Sequence, residues 1–133
     1  SIDDPPGGIY PAGYGVHAAP IAAGLRRLGV QATAHRGEGR AWLQVHVAAG
    51  EPVMVWATAG LGKSEIVQWE TGDGRLVSGV PTEHTFTVVG YDEEGLWLND
   101  PWDGSTRKHS WERFERAWAL MEQQAVVIAS PRR

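Results

Sequence analysis

Along this 133-residue chain the spacing of apolar and polar positions changes several times, and each change marks an element. From Gly15 to Leu28 the apolar residues Ile21, Leu25 and Leu28 recur at helical spacing. Pro20 near the first turn and Gly29 as a stop complete a predicted helix whose stripe faces the core. Val30 to His35 alternates like a short edge strand. Arg40 to Ala49 predicts a second short helix closed by Gly50, with Trp42, Val45 and Ala49 on its inner side. Pro52 to Thr58 is almost wholly apolar, as a strand covered on both faces must be.

Val67 to Glu70 and Arg75 to Val80 read as a hairpin around Gly72-Asp73-Gly74. His84 to Tyr91 and Leu96 to Asp100 are two further strands, joined by a polar turn that ends in Gly95. A short strand follows at Thr106 to His109. Ser110 then suits the N-cap of a helix over Trp111 to Met121, with Glu112 at its positive end and Phe114, Trp118 and Met121 at core spacing. Gln124 to Ala129 gives a last strand. Ser1 to Gly15, with three prolines and four glycines, predicts an extended surface segment. Together these elements predict an α+β fold with a central antiparallel sheet and two or three helices.

Composition narrows the classes. With 42% apolar and 21% charged residues, the chain fits one globular domain spanning 1–133 with room for a core. A net charge of −4 without long runs argues against nucleic acid or an anionic membrane surface as the main partner. No apolar stretch approaches the roughly 20 residues of a membrane-crossing helix. The opening Ser1-Ile2-Asp3-Asp4 is neither a start methionine nor a signal peptide, so the chain is expected to begin partway through a longer protein. There is no cysteine, which leaves the compartment open, an extracellular or cell-surface location included.

The chemistry that stands out is His84 at the start of one strand and Asp100 at the end of the next. Side chains alternate faces along a strand, so only some hairpin registers let the two meet. A three-residue loop, Glu93 to Gly95, would set Val88 opposite Asp100 and leave His84 out of reach. A five-residue loop, Tyr91 to Gly95, or a bulge with the same effect, makes Phe86 the neighbour of Asp100 and leaves His84 diagonal to it at about 7 Å between backbones. The longer connection is expected. A carboxylate bonded to one ring nitrogen would fix the tautomer and free the other nitrogen to take a proton from a nucleophile. The plainer account has His84 as a partly buried strand-end residue and Asp100, before Pro101, as a turn former.

Other candidates compete. Ala57-Thr58-Ala59-Gly60-Leu61-Gly62-Lys63-Ser64 nearly fits a phosphate-cradling loop, and Val88 to Glu93 could pass for its acidic magnesium strand. That loop needs a helix behind it, whereas Glu65 to Glu70 suits a strand, so a mobile loop beside the cleft is the simpler expectation. His17, His35, His46 and His109 lack metal-ligand spacing, so no metal or other cofactor is expected. Most of the seven tryptophans should pack in the core or at its rim. Trp102, after Asp100-Pro101, is the exception: it could shield the His84–Asp100 contact from water. Ser1 as an amino-terminal nucleophile finds no support elsewhere in the sequence.

The words Glu83-His84-Thr85-Phe86-Thr87-Val88-Val89-Gly90-Tyr91-Asp92 and Leu96-Trp97-Leu98-Asn99-Asp100-Pro101-Trp102-Asp103-Gly104 resemble the second half of the bacteriocin-processing, double-glycine-leader peptidases and their bacterial relatives. These are papain-like cysteine peptidases of the family-39 kind. Gly13-Tyr14-Gly15-Val16-His17-Ala18-Ala19-Pro20-Ile21 and Gly50-Glu51-Pro52-Val53-Met54-Val55-Trp56 extend the resemblance backwards. It implies a partial papain-like fold, His84 as catalytic base, Asp100 as its orienter, and Tyr14 with Trp102 on the substrate side of the cleft. It also implies a nucleophilic cysteine on an upstream helix, preceded by a glutamine, and this chain has neither that helix nor any cysteine. The expected partner is therefore a peptide. The site would be completed by a missing amino-terminal segment or by a second chain. The alternative is a peptide-binding domain of the same fold that does not cut.

Overall fold

The computed structural model describes residues 15–129, which form three α-helices and eight strands. Six strands make one antiparallel sheet: β1 (Ala32–His35), β2 (Val53–Thr58), β5 (Glu83–Tyr91), β6 (Gly95–Asp100), β7 (Ser105–Ser110) and β8 (Ala125–Ile128). Their spatial order is β1-β8-β2-β5-β6-β7. β3 (Val67–Glu70) and β4 (Leu76–Gly79) form a separate two-stranded hairpin. The helices are α1 (Ala18–Arg27), α2 (Arg40–Ala48) and α3 (Trp111–Leu120). This is the α+β architecture that the strand and helix periods predict.

Both faces of the sheet are packed. On one, Leu43 of α2 and Trp111, Phe114 and Trp118 of α3 bury against Val53, Val55, Phe86, Val88 and Leu98. On the other, Ala18 and Ala22 of α1 and Trp69 and Val77 of the β3–β4 hairpin bury against Trp56 and Val126. β2 lies between these layers, which is why its sequence carries no alternation. Each large apolar side chain so removed from water contributes about 1.5–3 kcal/mol before entropy is counted.

Two helix faces differ from expectation. Leu28 lies beyond the last turn of α1 and is exposed, while the small Ala18 and Ala22 form the buried stripe, with Ile21 and Leu25 packed beside them. In α2 the buried residue is Leu43, with Trp42 and Val47 against the core, and Val45 is exposed. Apolar residues at 42, 43, 45 and 47 surround most of this nine-residue helix, so contact with the sheet, not the period, sets its rotation.

The element that positions the site is the β5–β6 hairpin. Tyr91 pairs with Leu96 and Gly90 with Trp97, and then the register shifts so that Val88 pairs with Leu98 and Thr87 with Asn99. The extra residue is Val89, an exposed bulge that shares one partner with Gly90. The loop is thus shorter than the five-residue version, and the bulge restores the register. Without it the straight ladder would set Asp100 opposite Thr87, on the wrong face. Gly95 closes the turn because a Cβ there would stand 2.0 Å from the His109 carbonyl oxygen on β7. Ser110 caps α3 as its sequence suggests, its hydroxyl accepting from the Arg113 backbone N–H.

Candidate active site

His84 and Asp100 meet: His84 Nε2 lies 2.6 Å from Asp100 Oδ1. Both sit on the sheet face that carries Phe86, in the diagonal relation that the restored register dictates. An ionised carboxylate only accepts, so Nε2 carries the proton and donates it. Among the described residues none hydrogen-bonds to the other ring nitrogen, Nδ1. The imidazole stands edge-on to the Phe86 ring, centroids 4.8 Å apart, which fixes its plane. The side chains are 16% and 21% exposed, sheltered but reachable.

Asp100 serves two partners. Its Oδ1 also accepts the Trp102 backbone N–H at 2.9 Å, so the turn-forming and histidine-orienting accounts are both true of one carboxylate. Partial burial pushes the Asp100 carboxyl up, but the hydrogen bonds from His84 and Trp102 outweigh it, and the carboxyl is held below its ordinary value. The lowered value favours the ionised form, which an orienter needs.

Trp102 does less than its position suggests. Its ring lies 6.3 Å from that of His84, edge to face, yet the residue is 86% exposed. It flanks the pair and does not seal it; its structural contribution is the backbone N–H. Tyr14 lies outside the described residues. Beside Asp100 opens a cavity of about 520 Å³, walled by Trp56, Met54, Thr85, Thr87, Asn99 and Thr106.

A second histidine–carboxylate contact, between residues 66 positions apart, was not signalled by any local pattern. His17 Nε2 lies 3.2 Å from Glu83 Oε2, with the side chains 13% and 12% exposed. Glu83 precedes His84 and so faces the opposite side of β5. Its other oxygen packs against Gly15, where a Cβ would stand 1.9 Å away. Nearby, the Trp56 indole donates to the Val16 carbonyl at 2.9 Å, and the Gln124 side chain accepts the Ala18 backbone N–H at 3.2 Å. Residues 15–18 are clamped to the sheet on the face opposite the His84–Asp100 pair.

The loop after β2 is tied down. Ala59–Leu61 makes a single 3-10 turn whose carbonyls at 60 and 61 accept from the Arg113 guanidinium, and Thr58 Oγ1 donates to Gly62 O at 2.7 Å. Ser64 to Ile66 then runs without helix into β3, so the helix end that a phosphate loop depends on is not there. His35 and His46 flank the Trp42 ring at 4.7 Å each and pair with Glu38 and Glu51, a packing arrangement. Among the described residues no group of three metal-ligating side chains gathers.

The sequence model of the Peptidase_C39 like family matches residues 4–126, most of the chain. The chain belongs to that family. A crystal structure of a candidate C39-like peptidase from Bacillus anthracis superposes with a TM-score of 0.75 at 32% identity, covering 91% of this chain and 62% of that one. YvpB of Bacillus subtilis (strain 168), itself an uncharacterised protein, is 40% identical over 80 residues, which is 59% of this chain and 32% of YvpB. This C39-like chain thus spans about a third of the one relative and less than two thirds of the other.

Proposed function

We propose that this C39-like domain supplies the proton-transfer half of a cysteine-type peptide hydrolase, with the sulfur coming from outside the 133 residues. The observation that carries the reading is the 2.6 Å contact of His84 Nε2 with Asp100, which leaves Nδ1 to accept a proton. In such a site Nδ1 takes the proton of a cysteine thiol, and the thiolate attacks the scissile carbonyl carbon. The imidazolium then protonates the leaving amine, and the resulting thioester is hydrolysed by water that His84 deprotonates in turn. Asp100 holds the tautomer throughout. An upstream segment or a second chain would bring the thiol to the His84 side of the sheet. Trp102 and Tyr14 would flank the bound peptide.

By this reading the chain alone binds peptide and does not cut it. A second reading, a peptide-binding domain without turnover, is favoured by the absence of any cysteine in the sequence. One experiment separates them. In a protein that joins this domain to its thiol-bearing segment, a cysteine activated by His84 should be alkylated by iodoacetamide much faster than free cysteine, and His84→Ala should slow it at least tenfold. A thiol that reacts at the free rate, or none, leaves binding alone.

A further inference from the structure

We infer that the groove between the β3–β4 hairpin and the carboxyl half of α3 binds the free carboxylate end of a short apolar peptide. The motif Gly60-Leu61-Gly62-Lys63-Ser64 is not used by the His84–Asp100 site, and the loop that contains it forms one wall of this groove. A cavity of about 400 Å³ is lined by Lys63, Ser64, Ile66, Arg116, Ala119 and Leu120. A second, of about 370 Å³, shares Ile66 and Leu120 with it and runs on to Val80 and His17. His17 holds Glu83, the neighbour of His84, so the groove leads from a cationic end to the strand that bears the candidate base.

Charge commits the occupant. Arg36, Arg40, Arg75, Arg107 and Lys108 each pair with a carboxylate. Lys63 and Arg116, from two different elements, have no ion pair among the described residues, yet line one cavity. Glu65 and Glu115, the acids nearest to them in sequence, do not line it: Glu65 is exposed, and Glu115 is held by Arg40. Between the two cations the wall is aliphatic, and Ile66 is 62% exposed although it adjoins a packed hairpin. A guanidinium takes a carboxylate in a two-pronged bond and an ammonium adds a point charge. Ile66 and Leu120 then suit a terminal aliphatic side chain. A peptide that ends in such a residue satisfies both features at once.

For its biological meaning the inference rests on the peptide-directed reading above, but its test does not. The ¹⁵N-labelled 133-residue chain is titrated with N-acetyl-Ala-Val-Leu as the free acid and as the amide. Saturable shifts are expected for residues 63–66 and 116–120 with the acid, and binding at least fivefold weaker with the amide. Lys63→Glu with Arg116→Glu, both exposed positions, should weaken the acid at least tenfold while the spectrum stays dispersed, and His84→Ala should leave it unchanged. Equal binding of acid and amide, shifts confined to other residues, or an equal response to acetate alone would overturn the inference. Binding lost in His84→Ala but kept in the double variant would move the peptide to the His84–Asp100 site, overturning this groove and leaving the functional reading intact.

Discussion

Two histidine–carboxylate pairs straddle the first two residues of β5, and they differ in what is left over. His17–Glu83 is the more buried and the longer, 3.2 Å, and it ties the approach to α1 onto the sheet. His84–Asp100 is shorter, 2.6 Å, slightly more exposed, and keeps one ring nitrogen without a bond to any described residue. A histidine beside a carboxylate is therefore not by itself a sign of chemistry. What marks His84 as the candidate base is a second ring nitrogen with no bond to any described residue.

The contrast breaks most sharply at Glu83. Glu83→Ala removes the buried carboxylate bonded to His17 and is expected to lower the urea unfolding free energy by about 2 kcal/mol. The downfield Nε2 proton of His84 should persist in the NMR spectrum; its disappearance would show that the two pairs act as one unit. Asp100→Asn should cost less, about 1 kcal/mol at pH 7, because the amide still accepts the Trp102 N–H.

Its effect depends on pH in a definite direction. The folded carboxyl of Asp100 lies below its ordinary value of 3.8, so its stabilisation is complete above that value and fades as the pH falls through the lower folded value. Urea melts of the two proteins should differ most at neutral pH and converge toward pH 2; a constant gap would mean that Asp100 is not ionised in the fold. Gly15→Ala is milder, under about 1 kcal/mol, since the Glu83 carboxylate can swing aside, and hydrogen exchange should rise at residues 15–18 but not at His84. Least of all, deleting Val89 should leave His84 and Asp100 bonded. The ladder then runs unbroken at the same register, and a lost Nε2 proton signal would show that the bulge does more than keep register.

These comparisons also show how much could be read from residues alone. The contact of His84 with Asp100 follows from strand alternation once the connection is assigned its full count of offset residues. The sequence cannot say whether the extra residue sits in the loop or as a bulge, and both give the same neighbours. The helix over Trp111 to Leu120 is legible because its cap, its acid and its apolar stripe agree. α2 is not, because apolar residues nearly encircle it and a sheet must choose among them. Glu83 was invisible as a partner of His17 because nothing local links residues so far apart. The shielding expected of Trp102 fails because a large ring next to an Asp-Pro turn need not turn inward, and here it points largely to water.

The placing of β8 between β1 and β2 has a consequence for how the protein is made. The β5–β6–β7 meander can zip as it leaves the ribosome, bringing His84 and Asp100 together before the last strand is made. β1 and β2 have no edge to share until residues 125–128 emerge and slide between them. Between the completion of β7 at residue 110 and the arrival of residues 125–128, the nascent chain therefore holds an assembled pair on an unfinished platform, with two sticky margins that a chaperone would have reason to cover.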